Sequence, residues 1–303
     1  MSLVVAVVGP TAAGKSDLSI GLAEALGGEV VNADSMQLYR GMDIGTAKLT
    51  VAERAGVPHH LLDIWDVTEP ASVAEYQRLA RRAVDDILAR GRVPLLVGGS
   101  GLYIRAVLEE FEFPGTDPVL RARLEAELAE VGPAPLHARL REVDPEAAAS
   151  ILPGNGRRIV RALEVIELTG GPFTAALPDP KPWYESVQLG VDRDNASLDE
   201  RIATRVDRMW AAGLVDEVRG LVTQGLREGR TAGLALGYQQ VLRMLDGELT
   251  EAEAHAETVR KTRRFVRRQR TWFRRDPRIQ WLDAARPDLL EAGLDVVRSV
   301  RRD

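Results

Sequence analysis

The sequence contains no cysteine among its 303 residues, which excludes a disulfide framework, a thiolate zinc site, an iron–sulfur cluster and a cysteine nucleophile. Histidine is also scarce, with four residues, so we expect no structural zinc site built from the remaining ligand types. No apolar run approaches the roughly eighteen residues that a membrane-spanning helix needs. The N-terminal segment Met1–Val8 resembles a buried strand more than a signal peptide, and we therefore expect a cytoplasmic protein without membrane contact.

Charge is abundant but unevenly distributed. The sequence contains 40 lysines and arginines and 45 acidic residues, and the resulting net charge of −5 argues by itself against nucleic-acid binding. Residues 260–275, however, include nine lysines or arginines in sixteen positions and no acidic residue. We predict a helix over Arg260–Arg275, and this basic segment is compatible with a polyanionic partner at one face of the protein.

Short apolar runs alternate with helical patterns through the first third of the chain. The runs are continuously apolar, which is typical of a parallel sheet covered by helices on both faces. The predicted strands here are Leu3–Val8, Glu29–Asn32, His60–Ile64 and Val93–Val97, and the predicted helices are Lys15–Leu26 and Val73–Arg90. The sequence therefore predicts an α/β fold for this part of the chain.

The pattern changes at the breaker-rich junction Phe113–Pro118, after which only helical signals follow. A second proline-rich junction, Leu177–Pro182, precedes two further predicted strands, Val187–Val191 and Ile279–Leu282. The predicted helices between the junctions are Val119–Val131, Leu136–Val143, Pro145–Ile151 and Arg157–Leu168. We therefore predict a parallel-sheet core formed by residues 1–113 and 183–303, interrupted by a small helical insertion domain at residues 114–182.

A phosphate-binding motif follows the first predicted strand. The segment Gly9-Pro10-Thr11-Ala12-Ala13-Gly14-Lys15-Ser16 matches the pattern G-x-x-x-x-G-K-[ST] and leads into a helix. Its glycines let backbone N–H groups surround an anion, and the helix N-terminus adds partial positive charge. Lys15 supplies a cation for terminal phosphates and Ser16 an oxygen ligand for Mg²⁺. The motif predicts a P-loop that binds a di- or triphosphate, without identifying which one.

The residues that follow the other predicted strands help to indicate which phosphate ligand the P-loop binds. A nucleoside triphosphatase or kinase normally also carries a metal-binding acidic residue at the end of another apolar strand. Here the apolar strand Val93–Val97 is followed by Gly98-Gly99-Ser100 and lacks this carboxylate. This argues modestly against ordinary triphosphate hydrolysis. Asp34 follows the strand Glu29–Asn32 at the edge where open α/β sheets bind ligands, and it suits a helix N-cap as well as a catalytic carboxylate. His59 and His60 point to opposite faces of a strand, which disfavours a shared metal.

These motifs together resemble the tRNA dimethylallyltransferases, also called tRNA isopentenyltransferases, in their compact bacterial form. The matching segments occur in order over nearly the whole chain. They are Gly9–Ser16, Asp34–Lys48, Pro58–Asp63, Val97–Tyr103, Arg161–Glu164, Gly237-Tyr238 and Arg268–Arg274.

The resemblance implies transfer of a dimethylallyl group from dimethylallyl diphosphate to N6 of adenosine 37, next to the anticodon of tRNAs. The P-loop would then hold the diphosphate together with Mg²⁺, and Lys15, Ser16 and Arg201 would act on this leaving group. Asp34 would orient the amine and accept its proton. The implied partners are a tRNA anticodon loop and dimethylallyl diphosphate, with no obligate protein partner. The alternatives are a small-molecule or nucleotide kinase with the same P-loop and an RNA-binding nucleotide switch.

The resemblance also implies which residues contact the tRNA. These are Asp34, Ser35, Met36, Gln37, Ser100, Arg121, Arg157, Arg158, Ile159, Val160 and Arg161. The segment Gly154–Arg158 departs from the usual family pattern, and its glycines predict a more flexible loop. We further expect the basic segment Arg260–Arg275 to contact the phosphate backbone. The five tryptophans are expected in the core rather than as base-stacking platforms; they are Trp65, Trp183, Trp210, Trp272 and Trp281.

Overall fold

The computed structural model describes residues 3–111, 113–173 and 181–300. The chain divides into two compact units, one formed by Met1–Glu110 with Pro182–Asp303 and the other by Phe111–Lys181. Most of the predicted junction Leu177–Pro182 lies outside the described residues, with the exception of Lys181 and Pro182. We describe each unit separately.

Within the described residues, the first unit contains one six-stranded sheet in the order β3-β2-β4-β1-β5-β6. The strands are β1 (Val4–Val8), β2 (Gly28–Asn32), β3 (His59–His60), β4 (Val93–Gly98), β5 (Ser186–Asp192) and β6 (Ile279–Asp283). All neighbours pair in parallel, which confirms the predicted fold class. Strand β4 separates β1 from β2, so the segments that follow these three strands lie next to one another along one edge of the sheet.

Helices cover both faces of this sheet. In chain order, the α-helices of the two units together are α1 (Lys15–Leu26), α2 (Val73–Ala89), α3 (Gly101–Leu108), α4 (Pro118–Val131), α5 (Pro133–Val143), α6 (Pro145–Ser150), α7 (Gly156–Thr169), α8 (Asn195–Ala211), α9 (Leu214–Val222), α10 (Tyr238–Leu245), α11 (Glu251–Phe273) and α12 (Leu289–Val300). Of these, α4 to α7 belong to the second unit. One core joins Val4, Ala6 and Val8 to α2, α3, α9 and α10, whereas Val5 and Val7 pack on the other face with α1, α8 and α12. Alternate residues of β1 enter opposite cores, which explains its continuous apolar run.

The second unit is helical throughout its described elements. Helices α4 to α7 surround a core of their own, with Leu124, Leu136, Leu140 and Leu163 among its buried side chains. Proline occupies the first turn of α4, α5 and α6, where its missing N–H costs no hydrogen bond. The helical unit comprises Phe111–Lys181, whereas the predicted insertion domain was residues 114–182.

The third predicted strand is wrong over most of its length. The prediction was His60–Ile64, but β3 covers His59–His60 alone and pairs with two residues of β2. Leu61 and Asp63 have φ angles of 60° and 57°, which no β-strand can accommodate. The bend directs the Asp63 carboxylate toward Lys48, with Nζ and Oδ1 2.5 Å apart.

The neighbouring histidines take local partners. Nε2 of His60 lies 2.7 Å from a carboxylate oxygen of Glu29, and Nδ1 of His59 lies 2.8 Å from the carbonyl oxygen of Val57. No group of three or more metal-binding His, Cys, Asp or Glu side chains occurs in the part of the chain that the structure describes. Among the helices of those same residues, none combines the length and apolarity needed to cross a membrane.

Candidate active site

The P-loop connects β1 to α1 and requires glycine for steric reasons. Gly9 has a φ of 138°, and a Cβ atom there would lie 2.2 Å from the carbonyl oxygen of Val191 on β5. Ala12 and Gly14 also adopt left-handed backbone, with φ angles of 67° and 110°. Gly14 precedes α1 and has no side chain that could cap it. The first N–H groups of α1 are therefore available to an anion.

Basic side chains surround this loop. The Lys15 ammonium folds back and donates a 2.8 Å hydrogen bond to the carbonyl oxygen of Pro10. Nε of Arg201 donates to the carbonyl oxygen of Ala12 at 2.8 Å, and Nε of Arg193 donates to that of Ala13 at 3.2 Å. Three cations thus contact the backbone that would hold a phosphate group, a concentration of charge suited to a polyanionic ligand.

The charge of Asp34 affects the pKa of two basic side chains near the P-loop, Lys15 and Arg205. Burial lowers the pKa of Lys15 to about 8, while the negative charge of Asp34 opposes this shift and the positive charge of Arg205 adds to it. Burial likewise lowers the pKa of Arg205, again opposed by Asp34 and reinforced by Arg201. A carboxylate from the end of β2 and cations from α1 and α8 therefore share one neighbourhood. The sequence motifs did not single out Arg205, although its spacing of one helical turn from Arg201 was a usable signal.

The backbone around Asp34 is held by side chains. Asn32 accepts a 2.9 Å hydrogen bond from the Asp34 N–H and donates one of 3.1 Å to the Asp34 carbonyl oxygen. Oδ1 of Asp34 accepts the N–H of Met36 at 3.0 Å. Residues 35–38 form turns rather than a helix. The alternative of a helix N-cap is therefore wrong, and Asp34 is a half-buried carboxylate with a defined position.

Two further predicted contact residues lie beside Asp34. Oγ of Ser100 accepts the N–H of Ser35 at 3.3 Å, and the two hydroxyl groups are also 3.3 Å apart. This contact joins the end of β4 to the end of β2. The amide nitrogen of Gln37 donates to the carbonyl oxygens of Thr46 and Ala47 at 3.1 and 3.4 Å. Recognition of a base edge by Gln37 would therefore fall to its amide oxygen.

Glu217 of α9 holds the loop that follows these residues. Its carboxylate accepts three successive backbone N–H groups, from Asp43 at 3.1 Å, Ile44 at 2.7 Å and Gly45 at 3.2 Å. The Tyr238 hydroxyl donates to the same carboxylate at 2.5 Å. A Cβ atom on Gly45 would lie 2.4 Å from the Tyr238 ring. The sequence carried no sign of Glu217, because a glutamate in an amphipathic helix resembles ordinary surface charge.

Lys48 is a buried lysine that stabilises the same loop through hydrogen bonds and ion pairs. Its side chain is 3% exposed, and Nζ donates to Asp43 at 2.6 Å, to Asp63 at 2.5 Å and to the carbonyl oxygen of Tyr39 at 2.9 Å. All three hydrogen-bonding positions of the ammonium group are thereby used. Lys48 consequently stabilises the loop that carries Gln37 and is not available to a ligand in this arrangement.

Gln269 of α11 joins the P-loop to the sheet. Its amide oxygen accepts the N–H of Thr11 at 2.9 Å, and its amide nitrogen donates to the carbonyl oxygen of Gly99 at 2.9 Å. The side chain is buried, and a Cβ atom on Gly99 would lie 2.4 Å from its nitrogen. Helical periodicity assigns Gln269 to the buried stripe of a helix and gives it no further role. A single amide side chain among buried residues normally has a hydrogen-bond partner, so the position of Gln269 could have predicted a buried polar contact.

The predicted tRNA contacts of the helical unit fall into three classes. The side chains of Ile159 and Val160 are buried in its core, and the contact of this segment with tRNA stays a prediction. Arg121 and Arg161 both pair with the fully buried Glu164. Arg157 and Arg158 lie exposed in the first turn of α7. These last two arginines are the most accessible to a polyanion among the four arginines of the set.

Helix α11 contains the predicted basic segment but starts earlier, at Glu251, where Thr250 caps it, and ends at Phe273. One face is buried, with Thr262, Val266 and Gln269 among its residues. Trp272 is 37% exposed and Trp183 53% exposed, so the expectation of core tryptophans is wrong at these two positions. Trp65 is buried, while Trp210 and Trp281 are partly buried.

Comparisons with known proteins identify the family of this chain. The family model described as IPP transferase matches residues 37–276. A protein named tRNA dimethylallyltransferase from Salinispora arenicola is 81% identical over 299 residues, which are 99% of this chain and 87% of that protein. One of the same name from Thermobifida fusca is 67% identical over 302 residues, covering 98% of this chain and 95% of the relative.

Solved structures give the same answer. The crystal structure of the full-length tRNA isopentenylpyrophosphate transferase from Bacillus halodurans matches with a TM-score of 0.75 and 42% identity, covering 100% of this chain and 98% of that one. A eukaryotic dimethylallyltransferase, described as acting on tRNA, matches with a TM-score of 0.83 and 26% identity over 98% of this chain and 78% of its own. The chain therefore belongs to the tRNA dimethylallyltransferase family.

Proposed function

We propose that this enzyme transfers a dimethylallyl group from dimethylallyl diphosphate to N6 of adenosine 37 in tRNA, giving N6-isopentenyladenosine. The observation that carries the proposal is the shared sheet edge at which β1 ends in the P-loop and β2 ends next to Asp34, near enough for the charge of Asp34 to raise the pKa of Lys15. A group that can take a proton and a group that can bind a diphosphate thus lie in one site. The family match gives no support to the alternative of a nucleotide kinase.

The diphosphate leaving group occupies the P-loop in this proposal. Breaking the allylic C–O bond builds negative charge on the diphosphate, and groups already aimed at it stabilise the transition state. Gly9–Ser16 offers backbone N–H groups and the start of α1 for this purpose. Lys15 and Arg201 supply the adjacent positive charge, and Arg205, one turn along α8 from Arg201, adds to it. The burial of Lys15 and Arg205 strengthens their attraction to an incoming anion.

Mg²⁺ fits the side chains that are present. The described residues offer no carboxylate cage, but Mg²⁺ commonly takes one or two protein ligands and completes its shell with substrate phosphates and water. Ser16, in the first turn of α1 next to Lys15, provides one hydroxyl oxygen of this kind. We propose that Ser16 holds Mg²⁺ that arrives with the diphosphate. When bound, the ion neutralises negative charge on the leaving group.

Asp34 acts on the acceptor. The adenine amino group is a weak nucleophile because its lone pair is delocalised into the ring, and a carboxylate can orient it and accept its proton. Oδ1 of Asp34 is engaged by the N–H of Met36, so we assign Oδ2 to the amine. The new C–N bond forms as the C–O bond breaks, the diphosphate leaves, and one N6 proton passes to Asp34.

The acceptor base must leave the anticodon stack to reach this site, at a cost of a few kcal/mol. Ser100 and Gln37 supply groups that hydrogen-bond to a splayed base, while Arg157 and Arg158 meet the phosphate backbone. We propose that the basic face of α11 adds further phosphate contacts. The reaction takes place in the cytoplasm and needs no other protein in this proposal.

Product analysis tests the proposal directly. The protein is incubated with dimethylallyl diphosphate, Mg²⁺ and unmodified tRNA, and the digested tRNA is examined by mass spectrometry. We expect N6-isopentenyladenosine at position 37, and none when the donor is omitted. A parallel reaction with ATP in place of the donor provides the control. ATP-dependent phosphorylation of an acceptor without any prenylated nucleoside would overturn the proposal.

A further inference from the structure

A basic groove runs along the outer face of α11. It has a volume of about 360 Å³ and is lined by Arg264, Arg267, Arg268, Thr271, Trp272 and Arg275. These positions are spaced three or four residues apart, so they form one stripe along the helix and its C-terminal end. Residues of the opposite face, such as Val266 and Gln269, are buried. We call this feature the Trp272 groove.

The charge of the groove is largely uncompensated. Arg267 has one acidic neighbour, Asp199, at 3.5 Å. Arg264, Arg268 and Arg275 form no ion pair with a carboxylate in residues 3–111, 113–173 and 181–300. Elsewhere on the described surface, arginines are commonly paired, as Arg286 is with Asp288 at 2.7 Å. Unpaired guanidinium groups around one concave surface favour a phosphate-bearing ligand.

Trp272 gives the groove a rigid aromatic wall. A Cβ atom on Gly101 would lie 1.9 Å from the indole nitrogen of Trp272, so the edge of the ring rests against this glycine's backbone. The side chain remains 37% exposed. An exposed aromatic ring between arginines is the combination on which proteins stack nucleic-acid bases, because every base has a π-face.

The groove adjoins the candidate active site through the backbone. Gly101, against which Trp272 packs, directly follows Ser100. Ser100 in turn contacts Ser35, the residue after Asp34, at 3.3 Å. A ligand in the groove therefore lies close to the residues proposed to receive the flipped adenosine. For a polynucleotide, such a position corresponds to a nucleotide adjacent to the modified one.

We propose that the Trp272 groove binds a nucleotide next to the modified adenosine, with its base stacked on the indole and its phosphate among Arg264, Arg268 and Arg275. This inference rests on the proposed function, because it identifies the ligand as part of the tRNA substrate. It goes beyond general phosphate contact by the basic helix, since it assigns a base-binding role to one tryptophan. Such stacking tolerates any base sequence but requires that a base be present.

The test compares the affinity of the full-length protein for an unmodified anticodon stem-loop RNA, measured by fluorescence anisotropy. We expect Trp272→Leu to raise Kd roughly 5- to 100-fold and Trp272→Phe to raise it less, since phenylalanine keeps a π-face. Trp183→Leu is the matched control. Trp183 is also exposed and has the Arg81 guanidinium 4.0 Å from its ring centroid, but it lies outside the groove. We expect this variant to bind RNA as the wild type does.

An abasic substitution identifies the stacked nucleotide. RNAs that lack the base on either side of the target adenosine are titrated against wild type and Trp272→Leu. For one of them, the wild type should lose about the same affinity that the substitution removes, and Trp272→Leu should lose little more. An equal Trp272→Leu penalty on the intact RNA and on both abasic RNAs would assign the residue a structural role and overturn the proposal.

Two further measurements separate this proposal from the proposed function. Prenylation of the stem-loop by the wild type tests the function alone. Wild-type product formation together with unchanged RNA affinity of Trp272→Leu would overturn the groove assignment and leave the function standing. Inorganic pyrophosphate is the second probe, and its Kd should be the same for wild type and Trp272→Leu. Weakened pyrophosphate binding with full RNA affinity would place the groove in the donor site and also overturn the proposal.

Discussion

The side-chain oxygen of Gln269 accepts a 2.9 Å hydrogen bond from the backbone N–H of Thr11, although 258 positions separate the two residues. The amide nitrogen of the same side chain reaches the carbonyl oxygen of Gly99 at the end of β4. One residue of the basic helix thus fixes both the P-loop and the turn that carries Ser100. The helix proposed to contact tRNA also positions the site proposed to bind the donor.

Replacing this amide should impair donor binding. Gln269→Leu leaves the Thr11 N–H and the Gly99 carbonyl without their partner, and a buried unpaired polar group costs about 1–3 kcal/mol. We expect a lower midpoint of urea unfolding and a higher KM for dimethylallyl diphosphate. Gln280→Leu, at an exposed position of β6, is the control and should change neither quantity. An unchanged donor KM in Gln269→Leu would remove Gln269 from the positioning of the P-loop.

The Asp34 carboxylate should be needed for turnover but not for tRNA binding. Asp34→Asn keeps the shape and removes the base, so we expect kcat to fall roughly 100- to 10,000-fold. The tRNA affinity should change little, because phosphate contacts dominate such interfaces. Single-turnover prenylation and filter binding measure the two quantities. Asp216→Asn, whose native side chain is 80% exposed, should retain full turnover. Wild-type turnover in Asp34→Asn would exclude Asp34 from the mechanism.

Diphosphate affinity should fall as pH rises through about 8. The pKa of Lys15 is lowered to about 8 by burial, so the free enzyme loses this positive charge above that pH. An anion binds the protonated form better, and its Kd therefore increases as the lysine deprotonates. Calorimetric titration with Mg²⁺–pyrophosphate on both sides of pH 8 measures the effect.

The control for this experiment is Lys15→Arg, because arginine stays protonated throughout the range. Binding should raise the pKa of Lys15, so the wild type takes up protons on binding above pH 8. This uptake appears as a dependence of the binding enthalpy on the buffer. A wild-type Kd that is flat across pH 8, without proton uptake, would contradict the assignment of Lys15 to the phosphates.

Glu217 should hold the loop beside the active site in place. Glu217→Ala leaves the N–H groups of Asp43, Ile44 and Gly45 without their acceptor, and we expect loss of their hydrogen-exchange protection. The KM for tRNA should rise more than kcat falls, because the loop carries contact residues rather than the base. Glu200→Ala, on an exposed position of α8, is the control. Unchanged exchange at these three amides would show that the loop keeps its conformation without Glu217.

The basic face of α11 should contribute to the salt dependence of tRNA binding. Arg267→Gln with Arg268→Gln should weaken binding and reduce the slope of log K against log salt by about 0.7–0.9 for each phosphate that the helix no longer neutralises. Arg286→Gln with Arg298→Gln provides a control of equal charge, since both native arginines are exposed and paired with nearby aspartates. If the slope stays at its wild-type value in the α11 variant, this face is ordinary solvated surface.

Local sequence signals predicted the P-loop and its helix well, since α1 was predicted from Lys15 to Leu26 and begins and ends there. They failed where the backbone or the burial depends on distant residues. The strand predicted at His60–Ile64 ends at His60, because the chain bends at Leu61 and Asp63 toward Lys48. The exposure of Trp272 also could not be read from helical periodicity, which places it in one apolar stripe with Val266 and Gln269.

The sequence by itself determined the parallel-sheet fold, the anion-binding turn at Gly9–Ser16 and the position of Asp34 at a strand end. Each follows from residues close together in the chain, whose φ angles, periodicity and turns are set by local sterics and burial. The tertiary structure alone decided which distant groups meet there. Insertion of β4 between β1 and β2 and the packing of α9 and α11 bring Glu217 and Gln269 to this edge. Such contacts depend on strand order and side-chain packing, which no single segment of the chain specifies.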